Sequence, residues 1–97
     1  MHAVYHPEAW NDMMMAALFY DSKEMGLGDR FLDEVEEVTT RIENFPKLGS
    51  KNLHETRRCL LNRFPYQVVY REVDQQLQII AIAHFRKKPG FWTNRLG

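Results

Sequence analysis

The chain of 97 residues is long enough for one domain and too short for two, because either half alone would lack the surface to bury a core. Hydrophobic residues make up 44% of it and aromatics 12%, which excludes a disordered chain, while its single cysteine excludes an internal disulfide and any cysteine-rich metal site. The formal net charge is zero, yet up to Pro46 ten acids stand against three bases, and from Lys47 onward ten bases stand against Glu55, Glu72 and Asp74. That polarity implies that the C-terminal half meets something anionic, either nucleic acid or an acidic partner segment. The same split also arises if acids simply coat two solvated helices and bases coat strands. The first residues carry no basic n-region or apolar h-region, and no apolar run approaches membrane-spanning length, so a cytoplasmic protein without membrane contact is expected. A core this small is expected to draw support from a partner or a homodimer.

Ala3-Val4-Tyr5 reads as a short strand. Pro7 suits a first helical position, where its missing N–H would lack a partner anyway. From Glu8 to about Ser22, the apolar residues Trp10, Met13, Met14, Ala17 and Leu18 fit an amphipathic helix, with Trp10, Met14 and Leu18 expected to face a sheet. Gly26-Leu27-Gly28 breaks it, and Asp29 reads as the N-cap of a second helix. Phe31, Val35, Val38, Ile42 and Phe45 recur at steps of four and three, the strongest periodic signal in the chain, until Pro46 stops the run. So short a link predicts an antiparallel helix hairpin.

Lys47 to Glu55 reads as a polar loop, after which the period becomes that of strands. Thr56 to Leu61, Tyr66 to Val73 and Leu77 to His84 form an expected antiparallel meander, turning at Asn62–Pro65 and Asp74–Gln76. Cys59, inside the first of these strands, reads as a small buried hydrophobe. In the last strand, simple alternation puts Leu77, Ile79, Ala81 and Ala83 on one face and Ile80 and Ile82 on the other. Both faces therefore need cover. The hairpin can cover one, and a partner segment is expected on the other, by strand addition or as a helix in a groove.

The ordered set of local patterns resembles the RelE/ParE superfamily of toxins. His6-Pro7-Glu8-Ala9 opens the first helix, Phe45-Pro46 closes the second, and Arg57-Arg58 begins the next strand. Phe64-Pro65-Tyr66-Gln67-Val68-Val69-Tyr70-Arg71, followed by Ile80-Ala81-Ile82-Ala83-His84-Phe85-Arg86-Lys87-Lys88-Pro89-Gly90-Phe91-Trp92, is similar to a phrase of ParE-like, plasmid-stabilisation toxins. The likeness spans nearly the whole chain. It implies a single α+β domain over residues 1–97: a short N-terminal strand and a helix hairpin packed on a three- to four-stranded antiparallel sheet. It also implies the toxin of a type II toxin–antitoxin module, neutralised by a cognate antitoxin. ParE-type members block DNA gyrase and are not enzymes, whereas RelE-type members cut messenger RNA on the ribosome without metal. A third reading is a binding module of this fold that has lost toxicity.

Residue chemistry bears on the choice. Metal-free cleavage by a 2′-hydroxyl needs a general base, a general acid and fixed cations on the phosphate. His84 is the acid–base candidate because its unperturbed pKa lies near 6.5. Arg57 and Arg58 are the candidate cations, since their planar forks suit phosphate. Arg63, Tyr70, Arg86, Lys87, Trp92 and Arg95 are candidate target contacts, with Tyr70 or Trp92 able to stack on a base. One of Arg57 and Arg58, whichever points away from the hairpin, is expected to converge with His84, Arg86 and Trp92 on the side of Ile80 and Ile82. His54 and Glu55 are an alternate acid–base pair. Each of these residues is also at home in a merely structural or solvated role. His2 and His6 lack ligand spacing, and no phosphate-binding glycine loop or zinc pattern occurs, so neither metal nor cofactor is expected. The ribonuclease branch brings a denser Lys/Arg or Glu–Arg–His cluster to the sheet than this chain offers, which favours the ParE-like reading.

Overall fold

The computed structural model describes residues 1–97. Its elements are β1 (Ala3–Tyr5), α1 (Pro7–Lys23), α2 (Leu27–Asn44), β2 (Ser50–Lys51), a 3-10 turn at Leu53–Glu55, β3 (Arg57–Leu60), β4 (Tyr66–Val73), β5 (Gln76–His84) and a 3-10 turn at Thr93–Arg95. The sheet order is β1-β5-β4-β3-β2, with β1 parallel to β5 and every other pairing antiparallel. This is the expected α+β architecture with one strand more than the sequence suggests. Ser50 and Lys51, inside the expected polar loop, pair with Arg58 and Arg57 and add a two-residue edge. The β4–β5 turn is tighter than expected. Asp74 and Gln75 alone make it, both at positive φ (52° and 63°), and Gln76 already belongs to β5. Such a turn matches the twist of the strands it joins.

α2 buries Phe31, Val35, Val38 and Ile42, four of the five residues its periodicity singles out, against Val68, Tyr70, Leu77, Ile79 and Ile82 of the sheet, while Phe45 at its C-cap is exposed. It starts earlier than Asp29 suggests. Gly26 takes a left-handed backbone (φ 86°) ahead of Leu27, and the Gly28 N–H donates to Asp21 Oδ1 at 2.7 Å. A Cβ on Gly28 would run into the Ala17 carbonyl, so glycine there lets the two helices approach closely. α1 corrects the expectation for its inward face. Ala9, Met13, Ala16 and Ala17 are buried, whereas Trp10, Met14 and Leu18 are exposed. The helix is apolar nearly all round, so composition alone cannot fix its rotation. Its small alanines fit where α2 and the sheet crowd closest.

β5 also departs from simple alternation. Val69 pairs with Ala81 and Tyr70 with Ile79, leaving Ile80 unmatched in a bulge. One extra residue shifts the alternation. Leu77, Ile79 and Ile82 face the helices, while Ile80 and Ala81 both turn to the far side. There the chain covers itself. After β5 the C-terminal segment folds back, and Trp92 (3% exposed) packs on Val69, Ile80 and Ala81 with Phe91 and Leu96 beside it. The middle of the second face is therefore closed in cis and needs no partner, contrary to the expectation of a bare face.

Candidate functional site

The bulge decides where the candidate residues go. With strict alternation His84 would share the tail-covered side with Ile80. The inserted residue returns it to the hairpin side, where its ring lies 5.0 Å from that of Tyr66, edge to face. Tyr66 in turn packs on Tyr20 and Phe31. His84 Nδ1 accepts the Arg86 N–H at 3.0 Å, and the His84 carbonyl accepts from Lys87 N–H, so the histidine shapes the turn that follows β5.

Arg57 pairs with Tyr70 and Arg58 with Val69, which places them on opposite faces. Arg57 is held by the loop after α2, donating to Gly49 O at 2.7 Å and to Lys47 O at 3.4 Å. It shares a face with His84, but His84 pairs with Tyr66, four residues along β4 from Tyr70, a separation of about 13 Å at 3.3 Å per residue. Arg58 does point away from the hairpin, with its guanidinium 3.5 Å from Gln67 Oε1. It and His84 lie on opposite faces of the sheet. The expected convergence of an arginine, His84, Arg86 and Trp92 is not formed.

Three of the candidate target contacts are committed to the fold. Tyr70 is buried, its hydroxyl donating to Pro46 O and accepting from Gly49 N–H, each at 2.8 Å. Burial pushes its pKa up, against the lowering effect of the Gly49 hydrogen bond. Trp92 is buried where the tail packs on the sheet, with the His54 ring edge-on to it at 6.2 Å. His54 and Glu55, the alternate acid–base pair, are exposed and both hold left-handed backbones (φ 55° and 61°). Arg95 clamps the tail to α1: its guanidinium donates to Asp12 at 2.6 and 3.2 Å and to Ile80 O at 3.0 Å, and it stacks over Phe91. Asp12 Oδ2 also accepts the Ile82 N–H at 3.2 Å. At the bulge Arg95 takes the Ile80 carbonyl, and beyond the last β1 pairing, at Ile79, Asp12 takes the Ile82 amide.

Asp12, Glu34 and Arg71 are residues the sequence reading missed. Buried Glu34 accepts the backbone N–H groups of Asn62 and Arg63 and so fixes the β3–β4 turn. An acid at the apolar spacing of α2, between Phe31 and Val38, was the available signal. Arg71 donates to Gln78 Oε1 at 2.9 Å and to Leu96 O at 3.0 Å, anchoring the tail. Arg63 is exposed but lies beside Arg30, Asp33 and Glu37 of α2, not beside the tail.

What remains free is a basic turn with apolar neighbours. Arg86, Lys87 and Lys88 are exposed, and Lys87 Nζ stands 5.3 Å from the centre of the Phe91 ring. At the same end of the sheet Leu60, Gln67 and Ala83 align across β3, β4 and β5, and Phe85 follows two residues later. Leu60 and Phe85 are both about half exposed, and Arg58 flanks them. Such a surface suits docking to an acidic macromolecule with apolar anchor points.

Comparison with known proteins bears on the fold and the family. No curated protein matches the chain in sequence. A solved structure described as the chromosomal ParDE TA system from P. aeruginosa shares its fold with a TM-score of 0.65 at 17% identity, over 87% of this chain and 95% of that one. The family model described as the ParE toxin of the type II toxin–antitoxin system parDE matches residues 3–89, from β1 through the basic turn after β5. The chain therefore belongs to the ParE toxin family.

Proposed function

We propose that this chain is the toxin of a type II toxin–antitoxin pair that acts by docking on DNA gyrase rather than by cutting RNA, and that a cognate antitoxin neutralises it. The observation that carries the reading is the scatter of the ribonuclease candidates: His84 and Arg57 stand far apart on one face, and Arg58 lies on the other. A metal-free ribonuclease needs its acid, base and cations around one phosphate. Docking needs only a complementary surface, and Arg58, Leu60, Phe85, Arg86 and Lys87 provide one. An acidic segment of the antitoxin suits the same basic surface.

Supercoiling assays test this. The purified chain should block supercoiling of relaxed plasmid by gyrase, and the antitoxin should relieve the block. The double variant Arg86→Glu/Lys87→Glu should lose inhibition by at least tenfold. His84→Ala should keep it within a few-fold, because a general acid–base contributes about 10²–10⁴-fold and an ordinary interface contact far less. Intact gyrase activity, combined with cleavage of messenger RNA on ribosomes that His84→Ala abolishes, would overturn the reading in favour of the ribonuclease.

A further inference from the structure

The tail does not cover the whole far side of the sheet. Trp92 closes its middle over Val69, Ile80 and Ala81. Toward the start of β5, Val4, Gln78 and Arg71 stand in one row across β1, β5 and β4, and they line an open cleft of about 380 Å³. Val4 is on this side because its neighbours Ala3 and Tyr5 pack into the core under the helices. His6 and Pro7, where β1 ends, wall the cleft on one side, and Leu96 and Gly97 of the tail wall it on the other. The basic turn begins at His84, six residues along β5 from Gln78, a separation of about 20 Å at 3.3 Å per residue. The cleft is therefore separate from the surface proposed for docking.

The side chains that the fold leaves free here present donors. Arg71 gives its Nε–H to Gln78 Oε1 at 2.9 Å and one Nη2 hydrogen to Leu96 O at 3.0 Å, so both hydrogens of Nη1 stay free. Gln78 spends its oxygen on Arg71 and keeps its amide hydrogens. His6 Nδ1 accepts the Glu8 N–H at 3.0 Å, which puts the ring's proton on Nε2. No carboxylate of the chain pairs with Arg71, and both of its acceptors are neutral amides. Arg95, the other cation lining the cleft, differs in this respect, because Asp12 and Glu8 compensate it at 2.6 and 3.7 Å. No acidic residue lines the cleft. A half-buried guanidinium with only neutral partners, set among further donors, is the arrangement that an anion satisfies.

We infer that the Arg71 cleft binds a monocarboxylate whose apolar end lies on Val4, Pro7 and Leu96. The planar guanidinium fork matches a carboxylate in shape. One uncompensated cation matches one negative charge, whereas a phosphate dianion would call for more. The inference does not depend on the toxin's target, and its test reads no toxicity.

Benzoate is the probe, with one carboxylate and one flat apolar ring. In proton–nitrogen correlation spectra of the whole chain, benzoate at millimolar concentrations should shift the Arg71 Nε–H and the amides of Val4, Gln78 and Leu96 saturably. Benzamide, the same ring without the charge, should not. Arg71→Gln should weaken benzoate binding by at least tenfold. Because Arg71 also holds the tail, Val4→Glu provides a second variant. Val4 is 43% exposed, so the melt should be unchanged, while a carboxylate supplied by the chain itself should weaken benzoate at least tenfold. Absence of saturable shifts would overturn the inference, as would equal binding of benzamide or undiminished binding by Val4→Glu. Shifts confined to Arg86 and Lys87 would move the anion to the basic turn and overturn it as well. Tighter binding of inorganic phosphate than of benzoate would overturn the choice of a carboxylate.

Discussion

The hydroxyl of Tyr70 sits between two backbone groups of the loop after α2, donating to Pro46 O and accepting from Gly49 N–H. Tyr70→Phe keeps the ring in the core but leaves both groups unsatisfied. Each buried orphan costs about 1–3 kcal/mol, so a loss of roughly 2 kcal/mol in a denaturant titration is expected, where the same change at half-buried Tyr20, whose hydroxyl bonds to no group of the chain, should cost little. The phenol also gives a pH signature. Burial raises the pKa values of Tyr5, Tyr66 and Tyr70 above the ordinary 10.0. A raised folded-state pKa means that the native state holds its proton more tightly than the unfolded state. The stability it confers is complete below the unfolded value and is lost as pH rises through the folded one. Melts should therefore be flat in pH up to about 9.5 and fall beyond 10, with a shallower fall in Tyr70→Phe. An equal fall in both proteins would remove Tyr70 from that account. Arg95 makes the second case at this scale. Arg95→Met leaves Asp12 without its charge partner and the Ile80 carbonyl without its donor, a change that costs about 2–4 kcal/mol for a largely buried pair. The double variant Asp12→Asn/Arg95→Met should cost clearly less than the two single losses added together. Strict additivity would mean that the pair is not coupled.

Among the elements, the ones legible in the sequence are those whose patterns admit a single reading. α2 alternates acids with Phe31, Val35, Val38 and Ile42, so only one rotation hides its apolar stripe, and that is the rotation it adopts. Phe31→Ala should cost about 3–5 kcal/mol and Glu37→Ala close to nothing, compared by thermal melts of both. In α1 an apolar residue occurs at nearly every angle, so periodicity could not choose between Trp10, Met14 and Leu18 and the set Ala9, Met13, Ala16 and Ala17. The choice rests on steric fit against α2, where Ala17 meets Gly28. The bulge at Ile80 was equally hidden, because a run of apolar residues reads the same with or without one extra residue. It alone moves His84 from one face to the other, which is why the candidate site predicted from alternation did not assemble. The basic turn at Arg86 and Lys87 was legible, since it needs no partner across the sheet to define it.

At the scale of the whole molecule, a net charge of zero conceals a dipolar surface. The molecule measures 39 × 27 × 21 Å, whereas charges are screened over about 8 Å at physiological ionic strength. An approaching partner therefore responds to the nearest surface and not to the total. α2 presents Asp33, Glu36 and Glu37, and the turn after β5 presents Arg86, Lys87 and Lys88. Because the proposed target and antitoxin both meet the basic end, association should be steered electrostatically despite the neutral total. Such steering acts on the association rate and weakens steeply with salt, while dissociation depends on close contacts. Stopped-flow binding of the antitoxin should thus show an association rate that drops severalfold between low and physiological salt. Arg86→Glu/Lys87→Glu should slow association and flatten or reverse that dependence. Glu36→Lys/Glu37→Lys, on the acidic side, should leave the slope nearly unchanged, although it alters the net charge by the same amount in the opposite sense. If the two double variants shifted the salt dependence equally and oppositely, total charge would govern binding, and the basic turn would lose its assignment as the docking end.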